Sequence, residues 1–231
     1  MTGEGETLDA TSTSSDFWSL RLIIAVGLVG FVITGIVFAV MSTVGLSAYY
    51  ALHFSTAEAN ATTIILCDLA AAGIGYFLIR LFRGGESGDF WRSIGWHYSS
   101  GGAAVALLGG LGATLLMRLA LTGHLTIELN PALRVNTFSL LVVLGTVIVE
   151  PFVEEIYFRG ILFTGLATRV GPWMSICIVT LAFVILHVQH RWIVLPVAIV
   201  LGCVRLYTKS TASCFALHLG YNLGILLWGI R

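Results

Sequence analysis

Residues 149–160 read VEPFVEEIYFRG, and their reading decides what kind of fold the chain can adopt. They lie between two apolar runs, SLLVVLGTVI (139–148) and ILFTGLA (161–167), yet they carry Glu150, Glu154, Glu155 and Arg159. An ionisable side chain at the centre of a bilayer costs about 2.5–3.5 kcal/mol on insertion scales. Three carboxylates there would cost on the order of 8–10 kcal/mol before compensation, which rivals the whole stability of a typical fold. A segment of this kind survives in lipid only if its charges face water, pair internally or carry chemistry.

The rest of the chain establishes that lipid is the setting. Of its 231 residues 57% are apolar and 10% are charged, and the mean hydropathy is +0.94. Soluble domains carry about 25% charged residues, so the composition is that of a polytopic, all-α membrane protein. The formal net charge is zero, which gives no support to a nucleic-acid partner. Cys67, Cys177, Cys203 and Cys214 are scattered through apolar runs without a CxxC pair, so they are expected as free thiols rather than a disulfide framework or a thiolate metal site. Residues 1–17 are polar, with four acids and no base, and are expected to form a disordered tail.

A bilayer core requires about 20 apolar residues per helix. Seven spans meet this, at 20–46, 61–82, 101–122, 137–168, 173–189, 191–208 and 211–230, and the fourth contains the acidic stretch. Arg80, Arg83, Arg92, Arg169, Arg205 and Lys209 then fall on one side and Arg134, Arg191 and Arg231 on the other. The positive-inside rule places the N-terminus in the cytoplasm, in what reads as a prokaryotic plasma membrane. Gly101, Gly102, Gly109, Gly110 and Gly112 make the third span suited to close helix–helix approach. The loop RGGESGDFWRSIGWHYSS (83–100) places Trp91 and Trp96 as interfacial anchors.

Helical spacing organises the charges of the fourth span. Glu155 and Arg159 are four apart with the acid first, the favourable order for an ion pair. Glu150 and Glu154 are also four apart, so two acids share a neighbouring face, an arrangement suited to general acid–base work. Pro151 cannot donate to the carbonyl of Val147, so the helix must kink or restart there. Two other apolar spans supply partners: FVILH sets Phe183 and His187 four apart, and HLGYN does the same for His218 and Asn222. His53, His97, His124 and His190 lie at span ends or in loops and read as interfacial. Asp68, in the second span, is a lone membrane acid with no partner nearby in sequence.

The ordered set EExxxR, FxxxH and HxxxN, one motif per span, resembles the CAAX-protease and bacteriocin-processing (CPBP, or Abi) family, the type II CAAX prenyl endopeptidases. Glu154, Glu155, Arg159, Phe183, His187, His218 and Asn222 match its motifs, and the resemblance covers roughly residues 140–230. It implies a helical bundle with a polar intramembrane cavity, in which residues 18–135 form N-terminal helices and 136–231 the catalytic core. It implies an endopeptidase acting on membrane-associated peptide or protein substrates, prenylated CAAX-type chains among them, within the lipid bilayer. Its site would comprise Glu154, Glu155, Arg159, His187, His218 and Asn222. In a metal-free version Glu154 and His187 activate water while His218 and Asn222 stabilise the oxyanion. In a metal version Glu154, His187 and His218 hold a divalent ion such as zinc. Two other readings compete: a non-catalytic membrane scaffold or bacteriocin-immunity factor, and a proton- or ion-coupled transporter using Asp68 with the glutamates.

Overall fold

A computed structural model describes residues 18–29, 56–83, 90–98, 100–123, 140–187 and 191–228, with isolated positions between 32 and 43. The expected tail, His53, His124, His190 and most of the first span lie outside the described residues. The protein is an integral-membrane helical bundle. Helix α1 comprises Leu20–Ile24 and a π turn, Ala25–Val29. It is followed by α2 (Thr56–Arg83), the short α3 (Phe90–Ser93) and α4 (Ser100–Thr122). Helix α5 spans residues 140–170, and α6 (Pro172–Leu186), α7 (Arg191–Thr208) and α8 (Thr211–Trp228) complete the chain.

Among the described residues, Ala61–Phe82, Gly101–Thr122 and Arg191–Thr208 are long and apolar enough to cross a membrane. Their outward side chains confirm the solvent they need. Val105 is 71% exposed and Trp192 87%, a surface that water would not tolerate but lipid does.

Helices α4 and α8 pack backbone to backbone. A Cβ on Gly110 would collide with the carbonyl of Leu217, and one on Gly220 with the carbonyl of Leu107. Thr114 Oγ1 crosses the same seam to donate to Tyr221 O at 3.2 Å. Small residues therefore do in this pair what they do in membranes generally, where packing replaces the hydrophobic effect. Gly109 and Gly112 face open space, so only part of the glycine-rich stretch serves this contact.

Helix α5 is the axis of the fold and is not a regular helix. Two π turns, Leu144–Val149 and Ile156–Leu162, flank a six-residue α segment, Glu150–Glu155. The backbone therefore widens around Pro151 rather than breaking at it, and Pro151 sits buried in the first turn of the α segment, where its missing N–H costs least. Helix α2 runs alongside α5, meeting Gly145 with Ala61 and Ile65, and Tyr157 with Ala71 and Gly75. Around the second π turn, Gly160 admits Ile94 and Gly165 admits Ile23, so α1 and the 90–98 segment share a core with α5.

Candidate active site

The carboxylates of α5 meet histidines from two other helices. Helix α6 ends at His187, whose backbone N–H bonds Val184 O and so leaves Phe183 O unclaimed. The imidazole takes it: Nδ1 lies 2.8 Å from Phe183 O. A carbonyl only accepts, so Nδ1 carries the hydrogen and Nε2 presents a lone pair. That Nε2 lies 3.4 Å from Glu154 Oε1.

His218, on α8, is fixed by the opposite route. Its Nδ1 is 2.8 Å from Glu155 Oε1, which also accepts from Arg159 Nη1 at 3.0 Å. Glu155 and Arg159 are completely buried, so this pair makes its bonds away from water. His218 Nε2 then faces Glu154 Oε2 at 3.8 Å. Both imidazoles thus direct Nε2 to Glu154, one to each oxygen, with their far nitrogens bonded to the protein.

Phe183 explains the aromatic member of its motif. It stacks on His187 with centroids 4.3 Å apart, meets His218 edge-on at 6.0 Å, and lies 4.4 Å beneath the Arg159 guanidinium. The cation–π contact keeps Arg159 against Glu155, while the same ring limits the tilt of both imidazoles. Asn222 is directed elsewhere: its Nδ2 donates to Thr146 O at 2.9 Å, in the first π turn.

The donor types of Glu154, His187 and His218 are those of a catalytic zinc site. The two histidines address different oxygens of Glu154, at 3.4 and 3.8 Å, and these three residues are the ones that would hold such an ion, which would supply an acidified water.

Asp68 lies on α2 between the two levels of contact with α5, which sets it beside the level of Glu150. Its Oδ2 is buried with no hydrogen-bond partner among the described residues. Exposed His97 accepts through its carbonyl from Ser210 Oγ at 2.6 Å. Trp96 packs on Phe152 and Phe215 at 5.2 and 5.9 Å, so it belongs to an aromatic cluster that joins the 90–98 segment to α5 and α8. A cavity of about 180 Å³ lies between α2, α3 and α5, lined by apolar side chains including Ile79, Phe152 and Ile156 and by none of the clustered carboxylates or histidines.

Residues 136–224 match the family model described as type II CAAX prenyl endopeptidase Rce1-like. This segment is similar to the Rce1-like family. It contains Glu154, Glu155, Arg159, His187, His218 and Asn222. Helices α1 to α4, with Asp68 and Trp96, lie outside the Rce1-like segment. No curated protein and no solved structure matches the chain.

One buried residue escaped the sequence reading. Arg205, counted there among the cytoplasmic cations, is 7% exposed and lies inside the bundle. Its position one helical turn before Lys209, within the apolar run VLGCVRLY, was the available clue.

Proposed function

We propose that the protein is an intramembrane endopeptidase that hydrolyses peptide bonds of membrane-associated substrates with water activated by Glu154 and His187. The observation supporting this is the convergence on Glu154 of two imidazoles whose Nδ1 atoms are already engaged, leaving both Nε2 atoms directed inward.

A water seated against this pair donates one hydrogen to a Glu154 oxygen and the other to His187 Nε2, which turns its lone pairs towards an incoming carbonyl. As its oxygen bonds to the carbonyl carbon, Glu154 takes the proton. The oxyanion forms on the side of His218 and of the Asn222 amide, whose second N–H donates to it. Glu154 then delivers its proton to the departing nitrogen, and the C–N bond breaks. The products are a carboxylic acid and an amine, which part as carboxylate and ammonium, with Glu154 restored. Arg159 and Glu155 touch no reacting atom. They hold His218 in one orientation, as the third member of a triad holds its histidine.

The apolar surroundings of the site favour a substrate delivered from the lipid, and prenylated CAAX-type peptides are the first class to test. Purified protein in liposomes is expected to cleave such a peptide, or a transmembrane one, internally. In water enriched in ¹⁸O, the new C-terminal carboxylate acquires one heavy oxygen during a single turnover. Folded protein that cleaves neither class would overturn the proposal in favour of a non-catalytic scaffold.

A further inference from the structure

The two π turns of α5 each release one carbonyl, and each released carbonyl is taken by a side chain from another helix. In an α-helix Glu150 N would bond Thr146 O, but it bonds Gly145 O instead. Likewise Phe163 N bonds Phe158 O and leaves Arg159 O. Asn222 of α8 claims the first, at 2.9 Å, and Arg205 of α7 claims the second through Nε, at 3.0 Å. The segment between them carries Glu150, Glu154 and Glu155. Asn222 belongs to the motif set, whereas Arg205, its counterpart at the other end, does not.

We propose that Arg205 is a positioning residue of the active site, acting through the second π turn to hold Arg159, and hence Glu155 and His218, in register. This rests on the proteolytic reading above. The chain of contacts is continuous. Arg205 grips the backbone of Arg159, and the Arg159 guanidinium in turn reaches back to Ala198 O of α7 at 3.4 Å, so the two helices clasp each other by an arginine from each side. Arg159 bonds Glu155, and the same Glu155 oxygen bonds His218. Converting a π turn to an α turn removes one residue from the turn, which swings the rest of the helix by about 100°. With Arg205 gone, Arg159 O keeps only the longer bond from Thr164 Oγ1, at 3.5 Å, and the π turn loses the 3.0 Å bond that offsets its poorer geometry, so the guanidinium moves off Glu155 and off the face of Phe183.

Arg205 is itself held on three further sides. Its Nη2 donates to Thr164 Oγ1 at 2.9 Å and to Ile94 O at 3.4 Å, and its guanidinium lies 5.5 Å from the Phe163 ring centre. Gly95, at φ +68°, passes so close to Nη2 that a Cβ there would collide with it. Thr211 fastens the same loop to α8, donating through N to Gly95 O and through Oγ1 to Ile94 O. The arginine is therefore built in between the 90–98 segment and the reacting helix, and lysine, with one point charge and no fork, cannot reproduce this set.

The test compares wild type, Arg205→Lys and the milder Thr164→Val in liposomes, with Glu154→Gln as the control for proteolysis, and records the ¹⁵N-labelled imidazole resonances of His218. Arg205→Lys is expected to lower kcat by about 10–100-fold with KM little changed, the scale of a displaced catalytic group. It is also expected to shift the His218 Nδ1–H resonance, and Thr164→Val should do both to a smaller extent. A folded Arg205→Lys protein with wild-type kcat, or an unshifted His218 resonance, overturns the inference. Should Arg205→Lys not fold, Thr164→Val decides by the same two readings. If wild type and Glu154→Gln prove equally inactive, the proteolytic reading fails by itself, and the resonance still decides whether Arg205 positions His218.

Discussion

Replacing Glu155 with alanine removes the one carboxylate oxygen that holds both Arg159 and His218, at 3.0 and 2.8 Å. Arg159 is then a fully buried cation without its partner. Breaking a buried pair from one side costs about 3–5 kcal/mol, mostly because the remaining charge is stranded. For a chain of this size each kcal/mol lowers the melting temperature by about 2–4 °C, so Glu155→Ala is expected to melt about 6–20 °C below wild type. Thiol labelling on heating reads this directly. Cys214 is fully buried four residues before His218, and its Sγ bonds Leu201 O and Ser210 O. Cys177 is exposed and is first changed to serine. The decisive companion is Glu155→Leu with Arg159→Met, which removes both charges. Replacing a buried pair by apolar groups is often neutral, so the melting temperature should recover to within about 5 °C of wild type. Cleavage should not recover, because His218 Nδ1 has lost its acceptor, and a loss of about 10²–10⁴-fold is expected. Glu155→Ala melting with wild type, or the double variant cleaving normally, would refute the reasoning.

Gly110→Ala should lower the melting temperature by about 2–12 °C, the overpacking cost of about 1–3 kcal/mol, because its Cβ meets backbone that cannot yield. Gly109→Ala, which meets nothing, should melt with wild type in the same assay. Phe183→Leu removes the ring between Arg159 and the two histidines, and kcat is expected to fall about tenfold, corresponding to a contact worth about 1.4 kcal/mol. With water activated by Glu154 and His187 alone, as proposed, turnover is expected to stay within about twofold of control after a strong chelator, and abolition restored by zinc would overturn that mechanism.

The helices were legible because hydropathy and length govern insertion directly, and 101–122 and 191–208 coincide with α4 and α7 within a residue. The Glu155–Arg159 pair was legible too, since four-residue spacing fixes neighbours on one helix. Histidines on separate helices could be grouped only by the motif order, as spacing within one helix says nothing of contacts between helices. The π turns left no comparable trace. Pro151 announced an irregularity, yet whether the backbone kinks or widens depends on side chains more than 40 residues away, Asn222 and Arg205, that claim the released carbonyls. The burial of Arg205 was illegible for a related reason: the positive-inside rule counts charges by position along the chain and cannot see that one of them turns inward.

The central claim is that Glu154 activates the water. The most direct test is the single-turnover cleavage rate of Glu154→Gln beside wild type in the same liposomes, with melting temperature as the check on folding. Glutamine keeps the shape and removes the base, so the rate is expected to fall by about 10²–10⁴-fold or more with the fold intact. A folded Glu154→Gln protein that cleaves at the wild-type rate would contradict the account.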